Sequence, residues 1–166
     1  MSSQDYQRTE TTGIDDHLLA YFQDGARVLG LPKSVGEIYG VLYITPVPLT
    51  MIDLVDRLSI SKGSASQGLK ILRNLGAVRE IDLQNDRKTY FQADVELKKL
   101  VGGFIREKVR PHLNSGQEKL NQLRTEAQNI DDPELREFYD ERIHRLERWS
   151  TKSNLILPLL QKFLGE

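Results

Sequence analysis

The sequence predicts a mostly α-helical chain with a small β-hairpin wing, a winged helix-turn-helix followed by long helices. Three observations carry that expectation. Apolar residues recur at three- and four-residue spacing over most of the chain, the mark of amphipathic helices. Two of the shorter helical stretches are separated only by Ser59 and Ile60 before the Ser61 cap, and the second closes on Gly76. Directly after it, two β-prone stretches flank a cluster of turn-forming residues.

Taken in order, the first dozen residues are polar and aperiodic, so residues 1–13 are expected to form a disordered tail. Thr12 and Asp15 make a variant capping box. Ile14, Leu18, Phe22, Ala26 and Leu29 then form the stripe of a first helix, which Gly30-Leu31-Pro32 ends. Ser34 and Glu37 spell a full S-x-x-E box for a second helix reaching about Thr45, with Val35, Ile38, Tyr39, Leu42 and Tyr43 inward. Pro46 and Pro48 stop it. Thr50-x-x-Asp53 caps a short third helix burying Ile52, Leu54, Val55 and Leu58. Ser61 caps a fourth, which buries Ala65, Leu69, Leu72 and Leu75. The hairpin follows: Val78–Leu83, a turn over Gln84–Lys88, and Thr89–Gln92.

Beyond Asp94 the pattern is helical throughout. Val95–Val109 contains Gly102-Gly103, and Pro111 marks a kink or a restart. Leu120, Leu123, Ala127 and Ile130 form a narrow seam at coiled-coil-like spacing. Asp132-Pro133 opens the last helix as cap and first-turn proline, with Leu135, Phe138, Tyr139, Ile143, Leu146 and Trp149 on its apolar side. Pro158 interrupts its apolar end. The expected organisation is therefore a 1–13 tail, an N-terminal helix over 14–32 making a dimer contact, a winged helix-turn-helix over 33–93, and a helical dimerisation and effector region over 94–166.

The 166 residues carry 23 Lys and Arg against 24 Asp and Glu, and no cysteine, which excludes disulfides, thiolate metal sites and a thiol nucleophile. No apolar run approaches the roughly 18 residues of a membrane span, and the start lacks the apolar core of a signal peptide. The cytoplasm is the default expectation. The net charge of −1 argues at first against a nucleic-acid partner. Its distribution argues the other way, because residues 57–79 contain no acid while Arg57, Lys62, Lys70, Arg73 and Arg79 supply five bases.

That window is centred on the fourth helix. A recognition helix buries one face and offers the other to the major groove. Here the outward face carries Lys62, Gly63, Ser66, Gln67 and Lys70, with the small Ser64 beside them. Lys suits guanine, Gln suits adenine and Ser suits either. Arg87 and Lys88 at the wing tip suit phosphates or an adjacent minor groove. The expected activity is sequence-specific binding of double-stranded DNA by a transcriptional regulator, not an enzyme. The alternative is a winged helix serving as a protein–protein module without DNA contact, which would have no need of a basic recognition face.

Ser61-Lys62-Gly63-Ser64-Ala65-Ser66, then Leu69, Leu72 and Leu75-Gly76, then Asn85-Asp86-Arg87-Lys88-Thr89-Tyr90, resemble the MarR-type winged-helix regulators. Gly30-x-Pro32-Lys33-x-x-Gly36-x-Ile38-Tyr39-Gly40-x-Leu42 and Pro48-Leu49 resemble their GbsR-like branch, repressors of glycine betaine synthesis genes. The resemblance covers about residues 28–100. It implies a homodimeric repressor on a palindromic operator, tuned by a small effector, with Lys62, Ser64, Ser66 and Gln67 as groove contacts and Arg87 as the wing contact. The apolar positions of the last 70 or so residues exceed what a small winged core covers, which independently suggests burial against a second chain, with an intramolecular helical hairpin as the alternative.

Other motifs carry less. Gly25-x-x-x-x-Gly30 before Lys33-Ser34 lacks the adjacent lysine and preceding strand of a phosphate-binding loop. His17, His112 and His144 are scattered without ligand spacing, so no metal or other cofactor is expected. Paired acids such as Asp15-Asp16 sit at helix starts, where they meet the dipole. Tyr39, Tyr43, Phe104 and Trp149 could cage a choline-like effector by cation–π attraction. The plainer reading takes these rings as core and dimer-contact residues.

Overall fold

The structure is a computed structural model that describes residues 13–83 and 86–164. Residues 1–12 of the expected tail, with the Thr12 cap, lie outside the described residues, and Gly13, expected to close the tail, is instead the first residue of the first helix. The chain divides into two compact units, one ending at Leu100 and the other beginning at Val101.

The first unit contains α1 (Gly13–Val28), α2 (Lys33–Ile44), β1 (Leu49–Thr50), α3 (Met51–Leu58), α4 (Lys62–Asn74), β2 (Val78–Asp82) and β3 (Thr89–Ala93). The fold is a winged helix-turn-helix. Local chemistry sets most boundaries. Gly30 adopts φ +65°, and the Leu31 and Gly30 amides return to the Ala26 and Arg27 carbonyls, closing α1 as a Schellman turn. The end of α4 repeats it, with Gly76 at φ +70° and the Ala77 and Gly76 amides on Leu72 and Arg73. Thr50 and Asp53 cap α3 reciprocally, as their spacing predicted: the Asp53 amide donates to Thr50 Oγ1 at 3.2 Å and the Thr50 amide donates to Asp53 Oδ2 at 2.8 Å.

Ser34 does not cap α2. The helix already starts at Lys33 on Pro32, without a side-chain cap, and Glu37 accepts instead from Lys33 Nζ at 3.0 Å and Gln23 Nε2 at 3.2 Å. Pro32, with fixed φ, takes the position that the serine pattern claimed.

The three strands form one antiparallel sheet in the order β1-β3-β2, with Leu49 opposite Phe91 and Val78 opposite Ala93. β1 was not expected; two residues are too few to show alternation, and only pairing with β3 defines them. Ile38, Tyr39, Leu54, Leu72 and Leu75 form the centre of the core. Ile52, expected inside, is 56% exposed. It sits two positions before Leu54, roughly 200° round the helix, and an eight-residue helix buries a single stripe.

Glycines let α2 pack closely. A β-carbon on Gly36 would lie 2.4 Å from the Phe22 carbonyl oxygen of α1. One on Gly68 of α4 would lie 2.5 Å from the Ile38 side chain. At Gly36 the obstacle is main chain, so α1 crosses α2 nearer than any larger residue permits, whereas at Gly68 it is the tip of a side chain.

After β3 come α5 (Leu97–Phe104), a π-helical turn (Ile105–Val109), α6 (Arg110–Gln128) and α7 (Pro133–Leu164). Pro111 neither ends nor restarts the helix. The wide turn before it, closed by the Arg110 amide on the Ile105 carbonyl, accommodates a residue that lacks its own N–H donor. α7 likewise continues through Pro158. Asp132 caps α7 as expected, accepting from the Glu134 amide at 2.9 Å.

In the second unit α6 and α7 form an antiparallel hairpin. Arg110 pairs with Gln161, Ser150 Oγ donates to Gln117 at 3.2 Å, and Arg124 meets Glu147 at 2.7 Å. The seam thus closes within the chain through Leu120, Ala127 and Ile143. Much of α7 remains apolar and outward: Phe138, Leu146, Trp149, Leu155, Ile156, Leu159 and Phe163 are all exposed.

Candidate nucleic-acid interface

α3 and α4 are joined by Ser59, Ile60 and Ser61. Ser59 takes the left-handed conformation at φ 52° and turns the chain sharply. Ser61 then caps α4, its Oγ accepting from the Ser64 amide at 3.0 Å. Ala65, Gly68, Leu69 and Leu72 fix the buried side of α4. Lys62, Gly63, Ser66, Gln67 and Lys70 all lie on its exposed side, as predicted. Ser64 is half-buried, and its hydroxyl oxygen accepts from Ser61 Oγ at 3.0 Å, so it is partly engaged in the cap.

The five bases of the acid-free window are not equivalent. Arg73 meets Glu80 of β2 at 2.6 Å, Arg79 donates to Gln92 at 2.9 Å, and Arg57 leans on Thr45 Oγ1 at 3.4 Å. Lys62 and Lys70 make no ion pair among the described residues. Among the described residues Arg73 is thus neutralised by a carboxylate, Arg57 and Arg79 keep their charge in hydrogen bonds to neutral oxygens, and Lys62 and Lys70 place theirs at the start and middle of α4.

The wing ends in Asp86, Arg87 and Lys88, all exposed. Asp86 orders it: Oδ2 accepts from the Tyr90 hydroxyl at 2.7 Å and Oδ1 from the Lys88 amide at 3.0 Å. The tyrosine hydroxyl and then the Lys88 amide hold the Asp86 carboxyl below its ordinary range, and the carboxylate in turn raises Tyr90. Arg87 and Lys88 make no ion pair among the described residues. Asp86 and Tyr90 were not singled out for a role, because their contact spans a turn that sequence spacing alone does not close.

The expected effector rings divide between the two units. Tyr39 is 2% exposed and packs against Phe22 at 5.0 Å and Tyr43 at 5.8 Å, with its hydroxyl on the Asp94 carbonyl. Phe104 is half-buried and Trp149 is 71% exposed. Among the described residues no group of His, Asp or Glu could hold a metal, and no helix is long and apolar enough to cross a membrane.

Comparison with known proteins bears on the whole arrangement. The chain is 22% identical over 160 residues to the putative HTH-type transcriptional regulator YvaV of Bacillus subtilis, covering 92% of this chain and 88% of the relative. The chain is similar to HTH-type transcriptional regulators. The HTH-type repressor GbsR of the same organism is 32% identical over 76 residues, 46% of this chain and 42% of that protein. The HTH-type repressor OpcR is 22% identical over 90 residues, 50% of this chain and 49% of that protein. A solved structure described as a transcriptional regulator superposes with a TM-score of 0.71 at 18% identity, covering 92% of this chain and 96% of that one, a likeness of fold. No family model matches the chain.

Proposed function

We propose that this HTH-type regulator is a sequence-specific DNA-binding repressor of the MarR/GbsR kind. One observation carries the reading: the exposed face of α4 holds Lys62, Ser66, Gln67 and Lys70 with no acid opposed to them, and the same unit carries a wing tip with Arg87 and Lys88 exposed. On this reading α4 enters the major groove, where Gln67 and Lys62 meet base edges, while Arg87 and Lys88 anchor the backbone. Repression follows from occupying a promoter, in line with the repressor names of two relatives.

The working unit is a homodimer that sets two α4 helices about 34 Å apart on a palindromic operator. The outward apolar residues of α7 support this, since contiguous exposed patches of that kind mark interaction surfaces. A small effector, choline-like in charge, would tune binding by cation–π attraction to an aromatic side chain, for which Trp149 offers an exposed ring.

The test is a gel shift on the DNA upstream of the chain's own gene across about 50–300 mM salt. Binding with a steep negative log–log slope supports the reading. Absence of binding at every salt concentration overturns it.

A further inference from the structure

We infer that Tyr90 is a positioning residue that, through Asp86, holds the wing tip in the form in which Arg87 and Lys88 meet DNA. The inference rests on the DNA-binding reading above and adds a residue that need not touch the nucleic acid.

Tyr90 lies on β3, the middle strand, opposite Ile81 on β2 and Thr50 on β1. Its backbone is therefore held on both sides, the firmest place the small sheet offers. From there its hydroxyl reaches back four residues to Asp86 Oδ2 at 2.7 Å. The other carboxylate oxygen takes the Lys88 amide at 3.0 Å, and the Asp86 amide donates to the Leu83 carbonyl at 3.2 Å. The tip is thus tied to the middle of the sheet by a charge-assisted bond, the stronger kind.

Two consequences follow. Both oxygens of the one acid at the tip are engaged inside the wing, and the side chains of Arg87 and Lys88 project without an ion pair to it. A hairpin tip is also intrinsically loose, and ordering it on binding costs affinity. The Tyr90–Asp86 bond meets that cost at folding. Asp86 itself is an ambiguous target for mutation, because removing it removes both the tie and a negative charge near DNA. Tyr90→Phe deletes one hydroxyl and nothing else.

The experiment measures anisotropy of a labelled random duplex of about 30 bp at low salt, where backbone contacts dominate. The full chain is compared with Tyr90→Phe, with Arg87→Ala/Lys88→Ala and with the triple variant, and thermal midpoints are recorded for each. Tyr90→Phe is expected to weaken binding roughly threefold to tenfold and to shallow the salt slope, with the midpoint nearly unchanged. In the Arg87→Ala/Lys88→Ala background it should add nothing. Wild-type affinity for Tyr90→Phe overturns the inference alone. So does a loss that persists in that background, which would mean that the hydroxyl touches DNA directly. If the unsubstituted chain does not bind the duplex, the DNA-binding reading fails and the inference with it.

Discussion

The hydroxyl of Tyr39 in α2 donates to the main-chain carbonyl of Asp94 at 2.7 Å, tying the core helix to the residue that follows the wing. The Asp94 amide in turn donates to the Ala77 carbonyl at 2.8 Å, and its carboxylate meets Lys99 at 2.7 Å. Three segments therefore converge on one residue at the exit from the winged fold. Tyr39→Phe leaves that carbonyl without its donor, so it should cost about 1–2 kcal/mol by denaturant titration. Burial pushes the Tyr39 hydroxyl well above the ordinary tyrosine value, with Tyr43 and Asp94 adding to the shift. The stability linked to its proton is complete below about pH 10 and is lost as pH rises above it. The phenylalanine variant should accordingly lose less stability than the native chain on going to more alkaline pH.

Gly36 and Gly68 make unequal demands. The β-carbon of Gly36→Ala meets main-chain atoms, the Phe22 oxygen at 2.4 Å and the Gln23 α-carbon at 2.8 Å. That of Gly68→Ala meets the tip of Ile38, which can rotate. Gly36→Ala should cost about 3 kcal/mol or more and Gly68→Ala about 1–2 kcal/mol. Chemical denaturation of the two variants gives the comparison, and an equal or reversed order would contradict this packing.

Ser59 is the one described non-glycine residue at positive φ. Ser59→Gly should leave stability unchanged or raise it by up to about 1 kcal/mol, whereas Ser59→Val should lower it by about 1–2 kcal/mol. Thermal midpoints of the pair decide the matter.

The exposed end of α7 bears on assembly. Trp149 is 71% exposed and Phe163 84%, with Leu155, Ile156 and Leu159 between them. If a second copy covers this face, Trp149→Asp with Leu159→Asp should raise the dimer dissociation constant by tenfold or more, at about 1.5–3 kcal/mol per large apolar side chain. Sedimentation equilibrium shows it; a native chain that stays monomeric at high concentration would remove this face as a dimer contact.

What the sequence made legible was local. The caps at Thr50, Ser61 and Asp132 and the glycines at 30 and 76 act within a turn of their own helices, so spacing alone located them. The outward residues of α4 followed from a helical period of 3.6 and a known inward stripe. The misses were contacts between distant segments. β1 exists only because β3 pairs with it, and Arg73 is neutralised by Glu80 only because β2 folds back alongside α4. The α6 seam could equally have met another chain, and its closure on α7 depends on a turn at residues 129–132 whose direction spacing does not encode. Ser34 misled because a proline two residues earlier had already started the helix.

The central claim is that α4 reads bases while the wing holds the backbone. It is tested most directly by comparing Gln67→Ala and Lys88→Ala on the chain's own promoter DNA and on random duplex. Gln67→Ala should cost about 1–3 kcal/mol on the promoter and little on random DNA, while Lys88→Ala weakens both alike and shallows the salt slope by about one. Equal losses on both DNAs for Gln67→Ala would contradict the claim.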